Sequence, residues 1–249
     1  MTIKKDFYFF WFGGYPHGMP FLHYLSLKSC LLKNNPDSTT LVCDQRPQGL
    51  YWDELKHQVT VRLVEPDSRF TNQNNSNLQR FQVLKDFGGV YSDLDMLFVN
   101  PLPDELFQES FVASGKQYLG GFDCCDAFMM AEKNSTLLDL WTRSVTHKVE
   151  TGQNATEETI AGSIRVGDHF RTEEHDCLIL PEKALYSVSP LPMSVIHFLE
   201  RREVDTEGVY AFHLWGHLVR RLRLNIEANV QQEDSFFARY ANKIIEATI

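Results

Sequence analysis

Residues 75–101 read NSNLQRFQVLKDFGGVYSDLDMLFVNP and predict a helix, a turn and a strand in close succession. Apolar side chains recur at helical spacing over residues 78–87, and Asn75 or Ser76 can cap the N-terminus of such a helix. Gly88-Gly89 then predicts the end of the helix, because glycine adopts a left-handed backbone at little steric cost.

The predicted strand contains two aspartates that stand two residues apart. It begins at Val90-Tyr91-Ser92 and continues through residues 96–99, with Asp93-Leu94-Asp95 between these parts. If this segment stays extended, both carboxylates point to the same side. Neighbouring carboxylates are costly to bury unless they share a proton or a cation. The pattern therefore favours a magnesium or manganese site that also binds phosphate, and the alternative is a solvated Asp-x-Asp turn.

The first hundred residues alternate between predicted strands and helices. Residues 7–12, 39–43 and 59–64 read as strands, and residues 20–34 read as a helix. This order predicts a mainly parallel α/β sheet, in which ligands bind beyond the carboxyl ends of the strands. Gly13-Gly14, Asp44, Asp93 and Asp95 would all lie at that edge.

The second half of the chain contains one further cluster of interest. Residues 111–114 and 126–132 read as strands on either side of a loop that contains Cys124 and Cys125, and residues 137–149 read as a helix. The cluster itself is the run of residues 210–215, YAFHLW. In an alternating strand His213 and Trp215 share a face, and a neutral imidazole is a good manganese ligand. The alternative is a core histidine.

Composition narrows the classes of protein. A chain of 249 residues suits one large domain, and 43% hydrophobic residues can form a sizeable core. The net charge of −9 argues against a nucleic-acid-binding surface. The five cysteines are odd in number and lack zinc-site spacing, which favours reduced thiols. The sequence has neither a dinucleotide-binding glycine motif nor a P-loop, and it shows neither a signal peptide nor a run long enough to span a membrane.

The central block resembles that of DXD-containing sugar transferases, which include fungal α-1,6-mannosyltransferases, animal α-1,4-galactosyl- and N-acetylglucosaminyltransferases, and bacterial capsule enzymes. The positions in register are Ser76, Arg80, Leu84, Gly88, Gly89, Tyr91, Asp93 and Asp95. Asn77 stands where the family usually has Asp. The run Trp11-Phe12-Gly13-Gly14 is similar to the turn after the family's first strand, and residues 210–215 are similar to its A-x-H-x-W motif.

The resemblance implies a GT-A-type fold: a mixed, mainly parallel sheet flanked by helices in one domain, residues 1–249. Residues 1–100 would form the nucleotide-binding half, and residues 101–249 the acceptor-binding half with a C-terminal metal segment. The implied activity is retaining transfer of a hexose from a nucleotide diphosphate-sugar, UDP-sugar first and GDP-mannose second, with Mn²⁺ or Mg²⁺. The acceptor would be a saccharide or glycolipid hydroxyl, as in polysaccharide biosynthesis.

The resemblance also implies roles for particular residues. The candidate catalytic residues are Asp93, Asp95, Arg80 and Asp126. The candidate nucleotide-sugar-binding residues are Trp11, Phe12, Gly13, Asn77, Arg80, Tyr91, Asp93 and Trp215. The candidate metal ligands are Asp93, Asp95 and His213.

Other implications concern the acceptor side, the location and the competing functions. Asp126 opens a segment that faces the acceptor in the family, although it could simply cap a strand end. Residues 151–167 would replace the family's T-G-P loop, with Ala161-Gly162-Ser163 as the nearest match. A bacterial or viral cytoplasmic enzyme, in solution or peripheral to a membrane, is expected. A metal-dependent nucleotide-sugar hydrolase and an inactive sugar-nucleotide-binding protein remain alternatives.

Overall fold

The computed structural model describes residues 2–14, 17–118, 121–151, 177–232 and 234–249. Its strands are β1 (Asp6–Trp11), β2 (Ser38–Cys43), β3 (Thr60–Leu63), β4 (Gly89–Ser92), β5 (Met96–Phe98), β6 (Phe111–Tyr118), β7 (Gly121–Ala131), β8 (Leu178–Leu180) and β9 (Ala211–His213). Its helices are α1 (Phe21–Asn34), α2 (Leu50–Leu55), α3 (Asn72–Phe87), α4 (Thr136–Thr151), α5 (Lys183–Tyr186), α6 (Pro192–Glu200), α7 (Gly216–Arg221), α8 (Ile226–Gln232) and α9 (Phe236–Glu246), with a 3₁₀ helix at Asp104–Gln108.

Seven of the strands form one sheet in the order β3-β2-β1-β4-β7-β6-β8. The strands from β3 to β4 are parallel, β7 runs antiparallel to both of its neighbours, and β8 is parallel to β6. β5 and β9 form a separate antiparallel pair. This mixed, mainly parallel sheet flanked by helices confirms the predicted fold class.

The first strand explains why helices cover both faces of the sheet. Phe7 and Phe9 are fully buried in one core together with residues of α1, whereas Tyr8 and Phe10 lie in a second core with residues of α3. Successive side chains of a strand point to opposite faces, so a continuous aromatic run must be covered on both sides. α1 and α3 are therefore placed on opposite faces, next to the strand ends that carry the polar residues.

The predicted cap of α3 was wrong, because the helix begins earlier. Thr71 is the N-cap, and its side-chain oxygen accepts a hydrogen bond from the Asn74 backbone N–H at 3.2 Å. Asn75 lies inside the helix and holds the preceding loop, since its amide donates to the Asp67 carbonyl at 3.0 Å and accepts from the Asp67 N–H at 2.8 Å. An Asn side chain can satisfy loop backbone groups as readily as helix N–H groups, so residue type alone did not locate the cap.

The predicted glycine stop is confirmed. Gly88 is the C-cap with φ of 70°, and Gly89 follows with φ of 115°. A Cβ atom on Gly89 would lie 2.4 Å from the Asp6 carbonyl oxygen. The second glycine is therefore needed for the close approach of β4 to β1 as well as for its backbone conformation.

The expectation that Asp93-Leu94-Asp95 stays extended was wrong. β4 ends at Ser92, the aspartates lie in a turn, and β5 leaves the main sheet to pair with β9. The prediction that Cys124 and Cys125 lie in a loop was also wrong, because both residues belong to the long strand β7. The alternation of one strand cannot reveal which partner it pairs with, and here pairing with β9 redirects the chain.

One prediction falls outside the described residues: the acceptor loop around Ala161-Gly162-Ser163. Within the part of the chain that the structure describes, none of the helices has the length and apolar character needed to cross a lipid bilayer.

Replacing Thr71 with Ala should lower the free energy of unfolding by about 1 kcal/mol, because the Asn74 N–H loses its capping partner. The control is Ser76→Ala inside the helix, where alanine's higher helix propensity should leave the stability unchanged or slightly higher. Urea denaturation of both variants measures the difference. A larger loss for Ser76→Ala would contradict the observed start of α3.

Candidate active site

Three candidate ligands converge where the two sheets meet. β5 pairs with β9 so that Met96 lies opposite His213, which places the imidazole beside the Asp93–Asp95 turn. His213 Nε2 lies 3.0 Å from Asp95 Oδ1 and 3.9 Å from Asp93 Oδ2. One ligand atom from each of the three residues lies within 4.8 Å of the others. The turn thus achieves the convergence that an extended segment was expected to provide.

Asp95 is held by the chain on either side of Trp215. Its Oδ2 accepts a hydrogen bond from the Gly216 N–H at 2.6 Å, and its carbonyl accepts from the Leu214 N–H at 2.8 Å. Burial by itself would raise the pKa of Asp95, but His213 and the Gly216 N–H hold that pKa well below its usual range. Asp95 is therefore an ionised carboxylate with a fixed orientation.

Asp93 has a different electrostatic environment. Burial raises its pKa to about 6, and the neighbouring Asp95 charge adds to this effect while Arg80 opposes it. The Tyr91 hydroxyl donates to Asp93 Oδ1, and the Asp93 backbone N–H donates to the Ala127 carbonyl at 2.9 Å. Two carboxylates with pKa values moved apart are typical of sites that bind cations or transfer protons.

Arg80 connects this turn to β7. Its Nη1 lies 3.5 Å from Asp93 Oδ1, 3.3 Å from Asp126 Oδ2 and 3.1 Å from the Asp126 carbonyl oxygen, to which it donates a hydrogen bond. The guanidinium also lies 4.5 Å from the centre of the Tyr91 ring. Arg80 is buried, so it neutralises acidic charge at a place where water screens little.

Asp126 lies inside β7, so it does not cap a strand end. The pairing of β6 with β7 shifts between Ala113 and Ser114, which leaves residues 126–128 in a bulge. Bulges re-aim side chains and are common beside active sites. This bulge directs the Asp126 carboxylate to Arg80 and the Ala127 carbonyl to the Asp93 N–H.

The turn after β1 forms a second polar feature at the carboxyl ends of β1 and β2. The Asp44 carboxylate accepts hydrogen bonds from the Gly13 N–H at 2.9 Å and the Gly14 N–H at 3.1 Å. The Trp11 indole N–H donates to the Gly14 carbonyl at 2.6 Å. Gly13 has φ of 106°, which favours glycine, and the whole turn is held by its neighbours.

Two further residues predicted to bind the nucleotide-sugar, Phe12 and Asn77, have buried side chains. Phe12 packs in the α3 core and is 6% exposed, so its side chain belongs to the packing beneath the turn. Asn77 is buried on α3 one turn before Arg80, and its Nδ2 has no hydrogen-bond partner among the described residues. Their roles in binding remain predictions.

Trp215 is close to His213, but the predicted reason was wrong. β9 ends at His213, and Trp215 has a left-handed φ of 51° at the start of α7. The indole still lies 4.0 Å from the imidazole between ring centres, and its N–H donates to the Val188 carbonyl at 2.7 Å. A single left-handed residue, not strand alternation, places the two rings together.

Sequence reasoning missed two neighbours of the site. The Tyr186 ring lies 5.5 Å from the His213 ring, and the His23 ring lies 4.4 Å from the Trp11 ring. Burial lowers the pKa of His23 to about 3, although the Asp95 charge opposes this effect, so the imidazole is neutral. Tyr186 lies in a segment, residues 179–186, that resembles a family element to which the sequence assigns no chemistry, and contacts between distant segments have no local sequence signal.

The central residues of this site fall within a known family region. Residues 20–112 match the family model described as a glycosyltransferase sugar-binding region containing a DXD motif. This chain carries a DXD-containing glycosyltransferase region. The matched residues include Arg80, Asp93 and Asp95, and His213 lies beyond them. The predicted resemblance to DXD-containing glycosyltransferases is thereby confirmed.

Comparisons of the whole chain find further similar proteins. Glucan organizing enzyme 1 of Cryptococcus neoformans var. grubii serotype A (strain H99) is 22% identical over 238 residues, which cover 88% of this chain and 63% of that protein. The glycosyltransferase GlyE of Streptococcus pneumoniae TIGR4 has a TM-score of 0.57 at 12% identity over 98% of this chain and 63% of its own. The PaToxG glycosyltransferase has a TM-score of 0.50 at 16% identity over 64% of this chain and 66% of its own. The solved structures share the fold, and the chain spans about 63% of the length of the curated relative.

The donor set fits a divalent cation. Two carboxylates and one imidazole suit manganese or magnesium, and the site has few ligands of its own, so other coordination positions remain for a substrate. Asp95 Oδ1 and His213 Nδ1 are buried and lack hydrogen-bond partners among the described residues, although Asp95 Oδ1 does lie beside His213 Nε2. The three residues therefore form a possible metal site.

Arg80→Met should lower the free energy of unfolding by about 3–5 kcal/mol, because it leaves the buried Asp126 and the partly buried Asp93 carboxylates without their shared cation. Arg69→Met is the matched control, since the Arg69 side chain is 76% exposed where it pairs with Asp67. That exposed pair should contribute little. Adding Asp126→Asn to Arg80→Met should recover part of the loss. Equal denaturation midpoints for the two single variants would contradict the bridging role of Arg80.

Proposed function

We propose that this protein transfers a hexosyl group from a nucleotide diphosphate-sugar to a saccharide or glycolipid hydroxyl, with Mn²⁺ or Mg²⁺ and with retention of the anomeric configuration. UDP-sugar is the first choice of donor and GDP-mannose the second. One observation carries the proposal: the Asp93–Asp95–His213 cluster is joined through Arg80 to Asp126. A site for diphosphate and a polar group suited to a sugar hydroxyl are thereby neighbours.

Asp93, Asp95 and His213 are the residues that would hold the cation, and the bound cation would supply positive charge beside the departing diphosphate. The protein keeps these ligands in place before any substrate arrives. Gly216 orients Asp95, whereas Tyr91 and Ala127 orient Asp93. Such preorganisation is effective because no reorientation is needed during the reaction.

Arg80 is proposed to position the donor sugar or its diphosphate, and Asp126 is proposed to contact the sugar or a nearby hydroxyl on the acceptor side. Arg80 is a buried cation between two acidic groups, and it can donate hydrogen bonds to oxygen atoms of the sugar or the diphosphate. The Asp126 carboxylate can accept a hydrogen bond from a sugar hydroxyl. The nucleotide would lie toward the turn of Trp11, Gly13 and Gly14, where Asp44 holds the backbone at the edge of the sheet.

Retention is proposed to proceed by front-face substitution. The bond between the anomeric carbon and the diphosphate oxygen breaks, and the acceptor oxygen bonds to the same face of that carbon. The acceptor proton passes to an oxygen of the departing phosphate. Because the acceptor itself attacks the anomeric carbon, no covalent bond to the protein forms. The name of the curated relative, a glucan organizing enzyme, agrees with an acceptor or product that is a carbohydrate.

Thermal melting with UDP or GDP, each with Mn²⁺ or EDTA, tests the nucleotide and metal dependence. UDP with Mn²⁺ should raise the melting temperature, since a ligand at 100 times its Kd stabilises the folded state by about 2.7 kcal/mol. Asp95→Asn should abolish this rise, because the variant loses a charged ligand. Asp104→Asn is the control: it makes the same chemical change at an exposed aspartate that pairs with Lys5. A Mn²⁺-dependent rise with GDP alone would select GDP-mannose, and no rise with either nucleotide would contradict the proposal.

Product analysis separates a transferase from a hydrolase. With UDP-glucose and Mn²⁺, addition of a saccharide acceptor should suppress release of free glucose and yield a glycosylated product with the α-configuration of the donor, as read by NMR. Unchanged glucose release would favour the nucleotide-sugar hydrolase. A β-configured product would rule out retention.

A further inference from the structure

We infer that Tyr186 is a positioning residue that sets the placement of the ligand His213 relative to the bulge that carries Asp126. The inference rests on the proposed function, since it concerns the geometry of that same site. Tyr186 ends the short helix α5 and is 2% exposed. Tyr186 lies outside both β9, which carries His213, and β7, which carries Asp126.

The ring of Tyr186 contacts the imidazole directly. Its plane meets that of His213 at 74°, with 5.5 Å between ring centres, and it lies 6.0 Å from the Trp215 ring. Trp215 contacts the same imidazole at 4.0 Å. Two aromatic rings therefore restrict rotation of the His213 side chain and keep Nε2 directed toward Asp95.

The hydroxyl group of Tyr186 reaches the other side of the site. It lies 3.0 Å from Ser114 Oγ, which is also 2.9 Å from the Cys125 carbonyl oxygen and 3.2 Å from the Phe128 carbonyl oxygen. Both carbonyls only accept hydrogen bonds, and the Ser114 hydroxyl is within donating distance of each. Tyr186 and Ser114 therefore share a hydrogen bond in which either hydroxyl can be the donor.

The two carbonyls that Ser114 binds flank Asp126 and Ala127 in the bulge. Asp126 meets Arg80 through its carboxylate, and the Ala127 carbonyl accepts from the Asp93 N–H at 2.9 Å. A shift of the bulge would therefore move partners of both Arg80 and Asp93. The hydroxyl of Tyr186 acts on this part of the site through Ser114.

The backbone around Tyr186 is itself held against β9. The Tyr210 N–H donates to the Ala184 carbonyl at 2.8 Å, and the Tyr186 N–H donates to the Glu182 carbonyl at 2.7 Å. β9 pairs with β5, whereas the bulge belongs to the large sheet. One side chain on an anchored turn thus spans two separately hydrogen-bonded parts of the structure.

The two ends of the side chain can be tested separately. Tyr186→Phe keeps the ring and removes the hydroxyl, so the Kd for Mn²⁺ should stay within about twofold of wild type while kcat falls about 10-fold. Tyr186→Leu removes the ring, and the Kd for Mn²⁺ should rise about 10-fold or more, as for other groups that orient metal ligands. Tyr186→Met replaces the leucine variant if the latter does not fold. Tyr240→Phe is the control. It removes a tyrosine hydroxyl on a different helix, α9, where that hydroxyl donates to the Phe98 carbonyl at 2.9 Å.

Mn²⁺ affinity is measured by electron paramagnetic resonance on the full chain, without substrate. Turnover is followed as UDP release from UDP-glucose, or as GDP release from GDP-mannose if melting selects GDP. Unchanged Mn²⁺ affinity in the variant without the ring, or unchanged kcat in Tyr186→Phe, would overturn the corresponding half of the inference. Wild-type protein that binds neither Mn²⁺ nor nucleotide would instead contradict the proposed function.

Discussion

The pairing of β5 with β9 is the constraint on which the site depends. It brings His213 to within 3.0 Å of Asp95, although the two residues lie in distant parts of the chain. The same strand pairing places Gly216 where its N–H donates a hydrogen bond to the Asp95 carboxylate at 2.6 Å. A side chain on Gly216 would approach Asp95 Oδ2 to 3.1 Å, so the absence of a Cβ atom permits this close packing.

Balance of buried charge is the second requirement. Asp93, Asp95 and Asp126 bring acidic groups into a poorly solvated region, and Arg80 lies between two of them. Asp93 and Asp95 have distinct sets of partners, so the pKa of Asp95 is lowered and that of Asp93 is raised. Arg80 offsets part of this buried negative charge, and Asp93, Asp95 and His213 remain a group that could hold a cation.

Irregular backbone places the functional groups more than regular structure does. The DxD residues lie in a turn, Asp126 lies in a bulge, and Trp215 has a left-handed conformation. Each departure is stabilised by contacts from another segment, as in the chain from Tyr186 through Ser114 to the bulge carbonyls. The regular sheet supplies a rigid edge, and these local exceptions direct side chains into the space beside it.

The sequence by itself determined the α/β class, the glycine stop after α3, and the candidates Arg80, Asp93, Asp95 and His213, because periodicity, glycine chemistry and ordered motifs are local properties. The start of α3 at Thr71, the turn at the aspartates and the bulge at Asp126 were decided by tertiary structure. So were the contacts of Tyr186 with His213 and Ser114. These features depend on which distant backbone groups need partners and on which strand β5 pairs with. Spacing along the chain contains no record of either.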